Sequence, residues 1–306
     1  MMPPRRFGRV DEAAIQIPKA DISHIGRKWL DLPYAGRSPA QQLDIYLPEE
    51  GDGPFPVVLH IHGGAFAIGD KRDAMVNPFL DGLGRGYAVV SVNYRLSGEA
   101  TFPAGLQDIK AAIRWLRAHR QEYRLNPDRL AACGGSSGGY YAAMVGLTAE
   151  VADLDDPSLG NASFHCQVQA AVDWFGPTDF LRMDEQLAAS GVGPCDHGQA
   201  DSPESRFLGA KITEVPDQVR RASPITYIHR DMPPILIQHG RMDPLVPVQQ
   251  SIAFAAALAE QVGHDRFEFD ILEDAVHGDP LFEAPENVDR VFRFIDRHLM
   301  RRDESS

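Results

Sequence analysis

A glycine-flanked serine is the part of this sequence with the clearest chemical meaning. Residues 134–139 read GGSSGG, after a short apolar segment and before a helix-forming one. Strand, serine and helix in this order are typical of a nucleophile elbow, a tight turn that projects a serine hydroxyl above the edge of a sheet. Glycines around the serine avoid a collision between a Cβ and the neighbouring elements. The sequence therefore predicts a nucleophilic serine beside a helix N-terminus, whose free N–H groups face any oxyanion that forms there.

The motif fits two serines, because Ser136 and Ser137 each have glycine two positions away on both sides. We favour Ser136, which lies nearer the end of the predicted strand. This choice leaves Ser137 as the first residue of the helix, where its backbone N–H can serve an oxyanion. A glycine- and serine-rich loop without chemistry would look the same locally, so the rest of the chain has to decide.

Three further segments, with residues 62–65, Asp243 and His277, supply the other parts of an acyl-transfer site at predicted strand ends, where ligands bind in open α/β sheets. Residues 62–65 read HGGA, and their two glycines can turn backbone N–H groups toward a carbonyl oxygen. We expect the N–H groups of Gly63, Gly64 and Ser137 to form an oxyanion hole. One such donor is worth about 3–4 kcal/mol of barrier in a known protease.

Asp243 and His277 are the predicted acid and base. Asp243 comes just after an apolar strand, where a carboxylate can orient an imidazole, and His277 lies in the loop after the last predicted strand. Asp270 alternates outward from mid-strand, and Asp274 is too near His277 in sequence to approach its ring from across the site. The acids weighed against Asp243 are Asp173, Asp179, Asp270 and Asp274. The chain order Ser136, Asp243, His277 is the order found in α/β-hydrolases.

Composition and charge narrow the class of protein. The chain has 306 residues, of which 43% are apolar and 24% charged, enough for one large buried core. The net charge of −13 argues against a nucleic acid or an anionic membrane as partner. No stretch approaches the roughly eighteen apolar residues of a membrane span. The basic N-terminus lacks the apolar segment of a signal peptide, so we expect a cytoplasmic location.

The cysteines and histidines do not indicate a metal site. The three cysteines form neither a C-x-x-C pattern nor an even-numbered framework. Cys133 is interpreted as a core residue, whereas a disulfide between Cys166 and Cys195 stays open. His60 and His62 have no carboxylate or cysteine close to them in sequence. We therefore expect no metal.

No dinucleotide cofactor is expected either. The glycines within residues 82–86 come before a strand rather than after one, which is the wrong order for a dinucleotide fingerprint. The proposed chemistry needs no cofactor.

Apolar segments alternate with helical ones through most of the chain. We expect strands near residues 43–47, 57–61, 87–92, 130–133, 168–175, 234–240 and 267–272, and helices near residues 74–84, 103–120, 140–147, 248–262 and 287–300. The first of these strands alternates apolar and polar residues, which is typical of an antiparallel strand at a sheet edge. The pattern predicts the α/β class, with a doubly wound, mostly parallel sheet and an antiparallel N-terminal edge strand.

We interpret residues 1–306 as a single domain. Residues 1–40 are expected to form an N-terminal arm. Between residues 179 and 225 the strand and helix alternation breaks down, and glycine, proline, aspartate and serine are frequent. This segment lacks apolar residues for a core of its own, so it is predicted to be a short cap-like insertion over the sheet.

Six segments together carry a family resemblance. They are residues 62–66 (HGGAF), 69–71 (GDK), 93–96 (NYRL), 134–139 (GGSSGG), 239–247 (HGRMDPLVP) and 277–278 (HG). From about residue 43 to 299 the sequence resembles the α/β-hydrolase superfamily. More closely, it is similar to the bacterial esterases of the feruloyl-esterase-like (BD-FAE) and hormone-sensitive-lipase-like group. The serine of that group is third in its GGSAGG-like motif, so the resemblance implies Ser136. Ala65 and Ser137 depart from the usual residues, but neither change removes a backbone N–H.

The resemblance and the residues together predict a serine carboxylesterase. It would cleave short-chain or aromatic esters through an acyl-enzyme. Phe66, Tyr140 and Trp174 are candidate pocket residues that could equally be core aromatics. The alternative is an amidase, such as an arylformamidase or a short-peptide hydrolase, on the same triad. A non-catalytic binding protein is disfavoured, because all three triad positions are filled. The expected partner is a small-molecule ester, and neither its identity nor the oligomeric state follows from the sequence.

Overall fold

The sheet has the predicted α/β topology. The structure, a computed structural model, describes residues 17–300. Its strands are β1 (Lys28–Pro33), β2 (Gln42–Tyr46), β3 (Phe55–Ile61), β4 (Ala88–Val92), β5 (Leu125–Gly135), β6 (Ala170–Trp174), β7 (Ile235–Gly240) and β8 (Phe267–Leu272). They lie side by side in the order β1-β2-β4-β3-β5-β6-β7-β8. Only the two pairings made by β2 are antiparallel among these strands. The predicted doubly wound, mostly parallel sheet is confirmed.

Strand β1 was not predicted from the sequence. Its pairing with β2 is interrupted by a bulge between Trp29 and Leu32, and Asp31 within the bulge has a φ of 57°. The bulge breaks the alternation of side chains that marks a strand in sequence. Because β1 takes the edge of the sheet, β2 is the second strand and not the edge strand that its pattern suggested. Residues 1–16 of the predicted arm lie outside the described residues.

Helices cover both faces of the sheet. They are α1 (Asn77–Leu80), α2 (Ala104–Ala118), α3 (Ser137–Leu147), α4 (Met183–Ser190), α5 (Pro203–Leu208), α6 (Pro216–Ala222), α7 (Gln249–Val262) and α8 (Pro285–Leu299). Successive residues of a strand point to opposite faces. Leu59 of β3 accordingly joins the apolar cluster of α2 and α3, whereas its neighbour Val58 joins the cluster of α8. The near-continuous apolar runs of the central strands are explained by burial on both faces.

The segment between β6 and β7 carries the three short helices α4, α5 and α6. Phe207 of α5 and Val219 of α6 belong to the same apolar cluster as the strands β3 and β5. This segment therefore packs its apolar residues onto the core of the sheet. The division of the chain into an arm, one domain and an insertion stays a prediction.

The structure bears on two further expectations, the state of the cysteines and the presence of membrane-spanning helices. Cys133, Cys166 and Cys195 are all free thiols, and only Cys195 is exposed, so the disulfide that the sequence left open is not formed. Within residues 17–300, no helix has the length and apolar character needed to cross a bilayer. The cytoplasmic location stays a prediction.

Candidate active site

Ser136 occupies a strained turn between β5 and α3. Its φ of 57° and ψ of −126° are unusual for a residue with a side chain. The backbone is held there by the N–H of Ser136, which donates to Trp174 O at 2.8 Å. A Cβ on Gly138 would lie 2.1 Å from Ile61 O, so only glycine permits this close approach of α3 to β3. The local sequence thus forms the turn that its glycines predict, with the serine at its tip.

The structure brings Ser136, His277 and Asp243 together. His277 Nε2 lies 3.0 Å from Ser136 Oγ, and His277 Nδ1 lies 2.7 Å from Asp243 Oδ2. Because the carboxylate accepts the Nδ1 proton, Nε2 is left as the acceptor for the serine hydroxyl. The ring of Phe175 packs against the imidazole with 4.7 Å between ring centroids. The contact is made to Ser136 and not to Ser137, whose side chain is only 1% exposed.

Asp243 is fully buried and is surrounded by donors. Its Oδ1 accepts from the backbone N–H groups of Leu245 and Val246, at 2.8 and 2.9 Å. His239 Nε2 lies 3.3 Å from Oδ2 and donates to Val246 O at 2.8 Å. Burial works to raise the pKa of Asp243, but the charge of His277 and the hydrogen bonds from His239 and His277 outweigh it. The pKa of this carboxyl is therefore held well below its usual range.

The other acids weighed from the sequence have different partners. Asp173 on β6 is buried, and its Oδ1 accepts from Gly176 N at 2.8 Å. Burial raises the pKa of Asp173 to about 6. Asp270 forms an ion pair with Arg290 at 2.8 Å. By contrast, His239 contacts Asp243 but was not predicted. The only sequence feature that could have indicated this contact is the spacing of four residues between His239 and Asp243.

The backbone donors near Ser136 differ in one residue from the predicted set. Gly64, Ala65 and Ser137 line the cavity above the serine, and Gly63 does not. Within residues 17–300, the N–H groups of those three residues donate no hydrogen bond. His62 Nδ1 donates to Gly63 O at 2.8 Å. Since C=O and N–H point in opposite directions across a trans peptide, this bond turns Gly64 N–H away from His62. Ala65 takes the place expected for Gly63.

The cavity above Ser136 has a volume of about 900 Å³. Aromatic and sulfur-containing side chains form one wall: Phe66, Met75, Phe79, Trp174, Phe175 and Phe282. Polar residues of the segment before α6 form another: Asp196, His197, Asp201, Glu204 and Arg206. Of the three aromatic residues named from the sequence, Phe66 and Trp174 line the cavity and Tyr140 does not. Tyr140 is buried in the core, where its ring packs against Phe66 and Phe180 with centroids 5.2 and 5.6 Å apart.

We expect Gly64→Ala to lower kcat by about 10²–10³-fold, the effect of losing one oxyanion donor. Gly64 has a φ of +120°, and a Cβ there would lie 2.1 Å from Ile68 O, so the loop must move. The matched control is Gly84→Ala, because no atom lies within 4 Å of a Cβ built at Gly84. Ester hydrolysis rates of both variants, with circular dichroism to verify folding, test this. Equal activity of the two variants would contradict the prediction that the N–H of Gly64 is an oxyanion donor.

Comparison with known families places the chain. Residues 43–258 match the model of the BD-FAE family. The chain belongs to the BD-FAE family. In the curated proteins it is similar to the probable carboxylic ester hydrolase LipM of Mycobacterium tuberculosis, with 33% identity over 78% of this chain and 53% of LipM. The esterase LipQ of the same organism is 32% identical over 83% of this chain and 59% of LipQ. The chain thus spans somewhat more than half of the length of these relatives.

Solved structures agree with membership of the BD-FAE family. A truncated carbohydrate esterase from gut microbiota aligns with a TM-score of 0.81 and 31% identity, over 94% of this chain and all of the other. A bifunctional GH43-CE protein of Bacteroides eggerthii has the same TM-score and 34% identity, over 89% of this chain and 35% of that protein. The α/β-hydrolase fold of the chain is therefore that of known esterases.

Proposed function

We propose that the chain is a serine carboxylesterase with Ser136 as nucleophile, His277 as general base and Asp243 as the acid that orients it. The observation that supports this most directly is the unbroken series of contacts from Ser136 Oγ through the imidazole to the carboxylate, at 3.0 and 2.7 Å. The esterase relatives support the same reaction class.

In the proposed reaction, His277 Nε2 takes the hydroxyl proton as Ser136 Oγ attacks the carbonyl carbon of the ester. Asp243 keeps the Nδ1 proton in place and stabilises the imidazolium. The tetrahedral intermediate then expels the alcohol, which receives the proton from Nε2 and leaves the acyl group on Oγ. A water molecule activated by the same nitrogen hydrolyses this acyl-enzyme and regenerates the serine.

The negative oxygen of each intermediate is proposed to lie among the N–H groups of Gly64, Ala65 and Ser137. All three residues line the cavity. Ser137 is also the first residue of α3, so the positive end of the helix dipole adds to the attraction. Preorganised donors of this kind act without rearrangement during the reaction, which is the source of their effect.

The substrate is proposed to be an ester with a short or aromatic acyl group. The aromatic wall formed by Phe79, Trp174 and Phe282 suits an apolar acyl group. A volume of about 900 Å³ is near the upper end for small-molecule sites, so the alcohol part also has room inside. One structural neighbour is a carbohydrate esterase by name, and acetylated sugars therefore belong among the substrates to test.

Matched ester and amide substrates test the proposed function and separate it from the amidase alternative. p-Nitrophenyl acetate and p-nitroacetanilide release the same acetyl group from an oxygen and a nitrogen leaving group. We expect kcat/KM to be at least about 10²-fold higher for the ester, because the same triad has to expel a much poorer leaving group from the anilide. Butyryl, aryl and acetylated-sugar esters then define the acyl and alcohol preferences. Faster anilide cleavage would favour the amidase, and no turnover of any substrate would refute the proposal.

A further inference from the structure

Two histidines from different segments donate hydrogen bonds to the turn that carries Asp243. We call residues 243–246 the acid turn. Its N–H groups at Leu245 and Val246 point inward to Asp243 Oδ1. Its carbonyl groups accept from imidazoles: Val246 O from His239 Nε2 at 2.8 Å, and Leu245 O from His197 Nε2 at 2.9 Å. His239 belongs to β7, but His197 belongs to the segment between α4 and α5. This segment therefore contacts the acid turn directly.

The surroundings of His197 require a charged imidazole. Nε2 must carry a proton, because Leu245 O can only accept. Nδ1 lies 3.0 Å from Oε2 of Glu204, a residue that is 4% exposed, so the two groups are within ion-pair distance although they are not aligned for a hydrogen bond. A carboxylate facing a bare ring nitrogen would be repelled, so Nδ1 carries a proton as well.

Other charged groups around His197 act in the same direction. Asp184 on α4 accepts from the backbone N–H of His197 at 2.9 Å and of Gly198 at 2.8 Å. Burial lowers the pKa of His197, but Glu204, Asp184 and Asp196 together outweigh it and raise the pKa to about 9. The imidazolium is thus intact at neutral pH and is lost as the pH rises through about 9.

The same segment also presses its backbone against the acid turn. A Cβ on Gly193 would lie 1.9 Å from Pro244 O, so the backbones of the two segments are in contact with no side chain between them. His197 and Glu204 line the cavity above Ser136 as well. The ion pair therefore touches both the space for the substrate and the turn that carries the acid.

We propose that His197, held by Glu204, is a positioning residue that fixes the acid turn and so keeps the Asp243 carboxylate in line with His277. The inference rests on the proposed function for its effect on rate. A carboxylate held by backbone N–H groups moves whenever the turn moves, and a misplacement of about 1 Å in a catalytic site can cost about 10²-fold in rate. The segment before α5 would thus be part of the catalytic apparatus and not only a wall of the cavity.

The kinetic test compares three variants. His197→Phe keeps a ring without donors, and we expect kcat to fall by about 10–100-fold at pH 7.5 with KM changed less than about threefold. His197→Gln keeps one N–H donor for Leu245 O and should restore most of kcat. The control Asp217→Asn removes the acid of an exposed ion pair with Arg220 in the same segment and should match the wild type. A lower kcat with little change in KM, recovered in His197→Gln, distinguishes positioning of the acid turn from a general loss of structure.

A second measurement needs no substrate. The ¹⁵N-resolved backbone amide shifts of Leu245 and Val246 report on the acid turn in the free protein. We expect them to titrate near pH 9 in the wild type and in Asp217→Asn, and to be displaced already at pH 7.5 in His197→Phe. If the wild type hydrolyses nothing, the proposed function fails while these shifts still decide the role of His197. Unchanged amide shifts, or a kcat of His197→Phe within twofold of the wild type, would overturn the inference.

Discussion

Ser136→Ala is expected to lower kcat for p-nitrophenyl acetate by at least about 10⁴-fold, the scale seen when a serine hydrolase loses its nucleophile. The side chain removed is the one that His277 Nε2 contacts at 3.0 Å. Without Oγ no acyl-enzyme can form, and only the oxyanion donors and substrate binding remain to assist water. Steady-state rates, together with a check that the variant melts like the wild type, measure the effect.

Ser137→Ala is the matched control, because it removes a hydroxyl one residue away and keeps the backbone N–H. The Ser137 side chain is almost fully buried, and His277 is bonded to its neighbour instead. We expect activity within about threefold of the wild type, in the range of a substitution that leaves the reacting groups untouched. If Ser137→Ala is inactive and Ser136→Ala is active, the nucleophile is Ser137 and the assignment to Ser136 is wrong.

Asp243→Asn is expected to lower kcat by about 10⁴-fold, as the equivalent change does in a serine protease. Two backbone N–H groups bind Oδ1, so the asparagine must place its carbonyl oxygen there and its NH₂ group at the Oδ2 position. That NH₂ group faces His277 Nδ1, which then has to accept a hydrogen bond. The proton moves to Nε2, and the imidazole can no longer accept the proton of Ser136.

The control for this variant is Asp270→Asn. Asp270 was weighed against Asp243 in the sequence, but it is half-buried, pairs with Arg290 and accepts from Gln238 Nε2 at 3.2 Å. We expect its kcat to stay within about threefold of the wild type, because Asp270 does not line the cavity and its partly exposed ion pair contributes little. Measurements of kcat and KM between pH 6 and 9 compare the two variants. A full loss of activity in Asp270→Asn with Asp243→Asn unaffected would reverse the assignment.

Local patterns account for what was predictable from the sequence. The apolar runs of β3 and β7 and the glycines around Ser136 are local patterns, so the positions of these strands along the chain and the three candidate side chains of the site could be inferred. The bulge in β1 could not, because it disrupts the alternation that marks a strand. The exchange of Gly63 for Ala65 was also hidden, since the direction of an N–H depends on backbone angles. Ala65 has a φ of 53°, which alanine rarely adopts.

Contacts between segments that are distant in sequence could not be predicted for a different reason. Whether Tyr140 faces the cavity or the core depends on how α3 is rotated against Phe66 and Phe180. The roles of His197 and Glu204 depend on where their segment docks, and its sequence has no periodic pattern that would indicate this. Site residues that lie within a sequence motif, such as Ser136, can be predicted from one sequence. Residues such as His197 and Glu204, which packing brings to the site from a segment without a motif, cannot.

The three thiols of the chain have a practical consequence. Cys133 and Cys166 are buried, whereas Cys195 is exposed and sits two residues before His197. A maleimide dye will therefore attach to the natural protein at one place, with no engineered cysteine and no thiol to delete. The fluorophore would be attached between Pro194 and Asp196, two residues that line the cavity, so its quenching or polarisation can report on ligand binding there.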